Sequence, residues 1–264
     1  MNADREDTMN DDRNKRAADG LRAAKHVVAL TGAGCSVESG IPPFRGKGGV
    51  WETIDPMEFA HIDNFIRNPE KVWKVLIKGM KDVLDRAEPN DGHKGLFALE
   101  KMGILKTVIT QNVDGLHQMA GNTDVIEFHG NFAWQRCMEC DDRVETRKID
   151  MAEIPPRCRC GGIYRPDCVF FGEMIPPGYL ERSHTVSSAC DIMLVVGTSA
   201  VVHPAAYMPV IAKQNGARII EINPESTPLT ANVTDDLILG KAGEVMRKIV
   251  GALEAERSTT NAQH

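Results

Sequence analysis

No apolar run in this chain approaches the ~18 residues that a membrane-spanning helix requires. The opening stretch, MNADREDTMNDDRNKR, lacks the apolar core of a secretory leader. Basic excess is also missing: 31 Lys and Arg stand against 37 Asp and Glu, a net charge of -6. That balance argues against a globally basic nucleic-acid binder, so neither nucleic acid nor membrane is expected as a partner. There is no internal repeat and no low-complexity tract, which removes solenoid and fibrous architectures. The cysteines number seven, an odd count, and nothing marks the chain for export, so a disulfide framework is not expected. A reducing compartment, the cytoplasm, is the expected location.

What is present is ordinary globular material. Hydrophobic residues make up 42% and charged residues 26% of 264 positions, enough for one to two domains. Residues 1–16 hold only Met1, Ala3 and Met9 as apolar side chains, so this stretch is expected to be a mobile tail. Ala17, Ala18, Leu21 and Ala24 then recur at helical spacing and predict a short helix. Apolar runs follow at His26–Leu30, Lys106–Thr110, Val125–Phe128, Ile192–Val196, Arg218–Ile222 and Leu237–Leu239, the pattern of strands covered on both faces. Between them Gly92–Lys101, Ala205–Gln214 and Gly243–Ala255 read as helices, the second marred by Pro209. This alternation predicts an α/β fold with a doubly wound parallel sheet. Two stretches break it: residues 47–88, where Pro69–Leu84 reads as a helix opened by proline, and residues 135–165. The expected division is a large dinucleotide-binding domain (17–46, 89–134 and 166–255), a small helical and zinc-ribbon domain (47–88 and 135–165), and flexible tails at 1–16 and 256–264.

The strongest local motif is Cys137-x-x-Cys140, then seventeen residues, then Cys158-x-Cys160. Two close pairs of thiols suit tetrahedral Zn2+, whereas unrelated thiols in a loop would not repeat the pairing. With four ligands the coordination is closed, so this zinc is expected to be structural, one per chain. A second motif, Gly32-Ala33-Gly34, directly follows a strand and would let backbone N–H groups approach a pyrophosphate. The next glycine, Gly40, lies six residues on, which is not the usual dinucleotide spacing. A plain strand–helix turn therefore stays open as a reading. Gln111, Asn112 and Asp114 follow another strand, either at a ligand-binding sheet edge or as helix caps. His129, also at a strand end, is the candidate general base, ahead of His117, His184 and His203, although a lone histidine is more often structural. Gly197-Thr198-Ser199 and Asn223-Pro224 repeat the sheet-edge pattern. Four such clusters point to a dinucleotide-binding α/β enzyme with a structural zinc.

These motifs, in their order, resemble the sirtuins, the NAD-dependent protein lysine deacylases, of prokaryotic type. The resemblance runs from about Ala18 to Glu254. It rests on Gly32-Ala33-Gly34-Cys35-Ser36-Val37-Glu38-Ser39-Gly40-Ile41-Pro42, Phe44-Arg45-Gly46, Gln111-Asn112-Val113-Asp114-Gly115-Leu116-His117, His129-Gly130, the four cysteines, Arg165-Pro166, Val169-Phe170-Phe171-Gly172-Glu173 and Gly197-Thr198-Ser199. Pro43 stands where the family often has Asp, and the single spacer in Cys158-x-Cys160 is shorter than in many members.

The resemblance implies NAD as a consumed co-substrate and one structural Zn2+. Gly32, Ala33, Gly34, Ser36, Ser39, Phe44, Arg45 and Trp51 would belong to the cofactor loop. Gln111, Asn112 and Asp114 would line the nicotinamide and its ribose, and Asn112 and Asp114 would share catalysis with His129, the general base. Gly197, Thr198, Ser199, Asn223, Pro224, Glu225 and Ala242 would hold the adenosine half. Val169, Phe170, Phe171 and Gly172 would pair with an acyl-lysine peptide by strand addition. The implied reaction transfers the acetyl group of acetyl-lysine to ADP-ribose and releases nicotinamide. ADP-ribosyl transfer, removal of longer neutral acyl groups, and a non-catalytic nucleotide-sensing module are the alternatives. Members that remove succinyl groups carry a Tyr and an Arg three residues apart on the small-domain helix. Leu76 and Gly79 occupy those positions here, so an apolar acyl pocket is expected.

Overall fold

The computed structural model describes residues 3–46 and 48–261, and the side chains of 10–46 and 48–256. Six parallel strands form the main sheet: β1 (Val27–Thr31), β2 (Leu105–Thr110), β3 (Val125–Glu127), β7 (Ile192–Val196), β8 (Arg218–Asn223) and β9 (Asp236–Leu239). Three more, β4 (Gly130–Cys137), β5 (Arg143–Glu145) and β6 (Tyr164–Cys168), form an antiparallel sheet in the order β5-β4-β6. All six expected apolar runs are strands of the main sheet, each within two residues of the expected bounds. The reason is visible in VVALT and IMLVV, every residue of which is buried. Only strands covered on both faces need that pattern.

The helices are α1 (Ala3–Ala23), α2 (Pro56–Phe59), α3 (Ile62–Arg67), α4 (Pro69–Val72), α5 (Lys78–Leu84), α6 (Asp91–Lys101), α7 (Leu116–Ala120), α8 (Pro177–Ala189), α9 (Met208–Gln214) and α10 (Ala242–Asn261). Leu21 of α1, Leu96 and Leu99 of α6, and Met246 and Ile249 of α10 pack on one face of the sheet against Leu194 and Ile220. Met208 and Ala212 of α9 pack on the other face with Leu30, Ile109, Phe128, Met193 and Ile219. Each fully buried Leu, Ile or Phe contributes ~1.5–3 kcal/mol, so the two layers fix the sheet firmly. Among the described residues, no helix is long and apolar enough to cross a membrane.

The main sheet runs β3-β2-β1-β7-β8-β9. The chain steps outward from β1 to β3, makes the second sheet, then returns beside β1 and steps outward the other way. The carboxyl ends of β1 and β7 therefore diverge at a switch point, where open α/β sheets leave a crevice for ligands.

Four expectations need correction. The stretch 1–16 is helical from Ala3: α1 docks on α10 and β9, with Asn10 Nδ2 donating to the Leu239 carbonyl at 3.2 Å and Lys248 meeting Asp11 at 3.1 Å. Packing supplies the support that this polar composition lacks by itself. At the other end α10 continues to Asn261, well into the stretch expected as a tail, and 262–264 lie outside the described residues. Pro209 does not break a helix, because a 3-10 turn over Ala205–Tyr207 precedes α9 and leaves Pro209 in its first turn, where a proline costs no hydrogen bond. Pro69–Leu84 is interrupted by a π turn at Trp73–Ile77. There the Trp73 indole is fully buried and its Nε1 donates to the Tyr164 carbonyl at 3.0 Å, tying this helix to β6. α8 carries no strong apolar period and was not expected.

Candidate active site

A cleft of about 910 Å³ opens at the switch point. Its floor is the carboxyl edge of the main sheet. Its far wall is the small helical unit and the β4–β6 sheet. The floor depends on glycine at one close crossing. Gly34 N donates to the Gly197 carbonyl at 2.7 Å, and a Cβ on Gly197 would come within 2.3 Å of Cys35 N, at a φ of 59°. No larger residue fits there, so the turns after β1 and β7 lie backbone against backbone and leave their outer faces to the cleft.

Polar side chains stiffen this floor. Gln111 Nε2 donates to Thr198 Oγ1 at 2.9 Å, and Asn223 Nδ2 donates to the Thr198 carbonyl at 3.2 Å. The buried Asn112 donates from Nδ2 to the Gly32 carbonyl (3.1 Å) and to Ser36 Oγ (3.0 Å). Ser36 Oγ in turn donates to Asp114 Oδ2 at 2.7 Å, and Asp114 Oδ1 accepts from Leu116 N at 2.9 Å. Asp114 thus anchors the turn after β1 through Ser36 and starts α7 at the same time.

His129 stands at the junction of floor and wall. Its Nδ1 lies 3.0 Å from the Gln111 carbonyl, which can only accept, so Nδ1 carries the proton. Nε2 is left with its lone pair. Burial pushes the imidazole below its ordinary range, and the Gln111 carbonyl offsets this in part. A neutral, oriented imidazole is the form a general base needs.

Beside it runs the segment Val169–Gly172. Val169 N donates to the His129 carbonyl at 2.9 Å and Phe171 N to the Ala60 carbonyl at 2.9 Å. Arg165 holds the segment from behind: its guanidinium forks onto both Glu173 carboxylate oxygens at 2.6 Å and stacks 4.6 Å over the Phe170 ring. The remaining wall is apolar, formed by Ala60, Leu76, Ile77, Met80 and Phe132. Gly79 does not reach the cleft.

Most of the expected residues meet in this cleft. Gly32, Ala33, Gly34, Phe44, Arg45, Trp51, Gln111, Asn112, His129, Val169 to Gly172, Gly197 to Ser199, and Asn223 to Glu225 all line it. Phe44 and Trp51 stack with centroids 5.2 Å apart. Four do not reach it. Ser36 and Asp114 stand behind the floor, Ser39 turns to Asn90 (2.9 Å), and Ala242 is buried at the start of α10. Asn90 and His93 were missed. Asn90 caps α6 and donates to the Cys35 carbonyl at 2.8 Å, while His93 Nε2 meets Ser36 Oγ at 3.3 Å. The cap sequence before α6 was the available signal.

The four ribbon cysteines converge. Cys137 and Cys160 Sγ are 3.5 Å apart, Cys140 and Cys158 Sγ 3.7 Å, and all four lie within 4.8 Å of one another. Zinc with four ligands at ~2.3 Å needs S···S of about 3.8 Å, so the donor set fits. A Cβ on Gly162 would meet Cys137 Sγ at 2.7 Å, so the knuckle closes only over glycine.

Known proteins share this arrangement. The Sir2 family profile matches residues 32–204. The chain is 48% identical over 231 residues to "NAD-dependent protein deacylase 1" of Archaeoglobus fulgidus, covering 87% of this chain and 94% of that one. A crystal structure of a Sir2 homolog–NAD complex superposes with a TM-score of 0.85 at 44% identity, covering 91% of this chain and 94% of that chain. A Sir2–p53 peptide–NAD+ structure superposes with a TM-score of 0.82 at 34% identity, covering 89% and 96%. With a family profile over most of its length and relatives matched nearly end to end, this chain belongs to the Sir2 family.

Proposed function

We propose that this chain is an NAD-dependent protein lysine deacylase, and that acetyl-lysine is among its substrates. One observation carries the reading: a single cleft joins the glycine-turn floor to His129 and to the Val169–Gly172 edge. A dinucleotide and an acyl-lysine can therefore meet at one imidazole. The names of the relatives, and the NAD and peptide in their complexes, support the same assignment.

In this reading the turns Gly32–Gly34 and Gly197–Ser199 cradle the pyrophosphate and adenosine, and Phe44, Arg45 and Trp51 close over them. Gln111 and Asn112 orient the nicotinamide ribose. Asp114 positions Ser36 and Asn112 from behind. His129 Nε2 takes a proton from a ribose hydroxyl, which frees that oxygen to attack the acyl carbon. Val169 and Gly172 offer the extended peptide a carbonyl and an N–H, since the N–H groups of Val169, Phe170 and Phe171 already have partners in the chain. Zinc, when bound by Cys137, Cys140, Cys158 and Cys160, supplies rigidity to the second sheet. Incubation with NAD and an acetyl-lysine peptide tests the reading. Nicotinamide release that requires both is the expected result, and untouched NAD would overturn it.

The apolar wall favours neutral acyl groups. Leu76, Ile77 and Met80 offer no cation or hydrogen bond to a succinyl carboxylate, whose desolvation would go uncompensated.

A further inference from the structure

Cys35, His93 and His117 form a second cluster of metal-ligating side chains, behind the cleft floor and separate from the ribbon thiols. Each comes from a different element: the turn after β1, the first turn of α6, and α7. All three are fully or almost fully buried, and one donor atom from each lies within 4.8 Å of the others. The two imidazoles meet edge-on with centroids 4.9 Å apart. His117 Nε2 is 2.9 Å from Thr31 Oγ1, but its Nδ1 is buried without a hydrogen-bond partner among the described residues. A buried imidazole nitrogen with no partner is uncommon and asks for an explanation. One thiol and two imidazoles make a soft, nitrogen–sulfur donor set that suits thiophilic d10 cations.

We propose that Cys35, His93 and His117 form a second, regulatory site for a thiophilic d10 cation, Zn2+ or Cu+. On binding, the Cys35 thiol gives its proton to solvent and a metal–thiolate bond forms. His117 binds through its unpartnered Nδ1, and His93 binds through Nδ1 by giving up the hydrogen bond that this atom accepts from Asn90 N at 3.3 Å; both remain neutral imidazoles, and nothing is oxidised or reduced. Coordination requires the donors to lie about 3.5–3.8 Å apart, a closure of up to about 1 Å. That movement reaches the cleft floor. Cys35 precedes Ser36 in the chain, and His93 Nε2 sits 3.3 Å from Ser36 Oγ. Ser36 is the hydroxyl that holds both Asn112 and Asp114. The metal-bound form therefore holds Asn112 less well and binds NAD more weakly. By linkage, NAD weakens the metal by the same factor. This coupling rests on the NAD reading above, whereas the metal site does not.

The test starts from protein carrying its ribbon zinc. Zn2+ is titrated in one arm and Cu+, anaerobically, in another, and bound ions are counted by native mass spectrometry. One further ion per chain is expected in at least one arm, with the ribbon zinc retained. Cys35→Ala and His117→Gln should each lose the added ion, and Cys35→Ala keeps the test decisive should His117→Gln fail to fold. Wild-type protein that takes no further ion in either arm, Cu+ that only displaces the ribbon zinc counting as none, or variants that still load it would each overturn the site. NAD titration of the loaded and unloaded protein should then show about tenfold weaker binding when loaded, within the usual range of such couplings. Equal affinities would overturn the regulatory role. Loss of NAD binding in the unloaded protein would count against the functional reading alone.

Discussion

His129 is where the chemistry is most exposed to test. The Gln111 carbonyl fixes its tautomer, and burial keeps it neutral. Replacing it with Ala should lower turnover roughly 10²–10⁴-fold, the range for loss of acid–base catalysis. NAD binding, measured by calorimetry, should largely persist, because the floor contacts do not involve the ring. Near-normal turnover would remove His129 from the mechanism. A lowered pKa means the base form survives to more acid pH than a free imidazole allows. The acid limb of kcat/KM should therefore have its inflection below the ordinary value of ~6.5, and an inflection above it would contradict the burial argument. At this scale the sequence was readable wherever a polar residue stands just beyond the end of a parallel strand, as His129, Asn112 and Thr198 do two positions after β3, β2 and β7. Asn90 and His93 were readable only as a cap of α6; their contacts to the floor were not, because their partners Cys35, Ser39 and Ser36 lie more than fifty residues away in the chain.

Elements position those residues, and two predictions belong to them. Gly197 lies at φ 59° with Cys35 N where a Cβ would go. Gly197→Ala should cost about 1–3 kcal/mol in urea unfolding and raise the KM for NAD, since the turns after β1 and β7 must part. Unchanged stability would show that the crossing is less tight than described. In the second sheet, Cys137→Ser should release the ribbon zinc, measured as metal per chain. It should also lower the protection of β4–β6 amides against hydrogen exchange, because thiolate sites couple metal binding to folding. Full protection without zinc would reject a structural metal. The strands of the main sheet and the cysteine pairs were legible because burial, on both faces for central strands such as β1 and β7, and metal geometry each impose a fixed residue pattern. The helical character of 3–16 was not, since it depends on docking against α10, and neither was the π turn at Trp73–Ile77, which follows from the seating of Trp73 against β6.

The whole molecule works by bringing a doubly wound sheet and a small helical and ribbon unit to one cleft. In the proposed reading acyl choice belongs to the small unit, which supplies Leu76, Ile77 and Met80 to the cleft. The apolar wall of Leu76, Ile77 and Met80 should give matched acetyl peptides a kcat/KM at least about tenfold above succinyl peptides, the factor that ~1.4 kcal/mol supplies. Equal or faster succinyl cleavage would place a cation in that pocket, contrary to the structure. The most direct measurement of the central claim is the identity of the products. Purified protein is incubated with NAD and an acetyl-lysine peptide, and all small molecules and the protein are followed by mass spectrometry. The account predicts nicotinamide, the peptide with its lysine deacetylated, and O-acetyl-ADP-ribose in equal amounts. ADP-ribose attached to protein in place of O-acetyl-ADP-ribose, or acetate released with NAD intact, would contradict it.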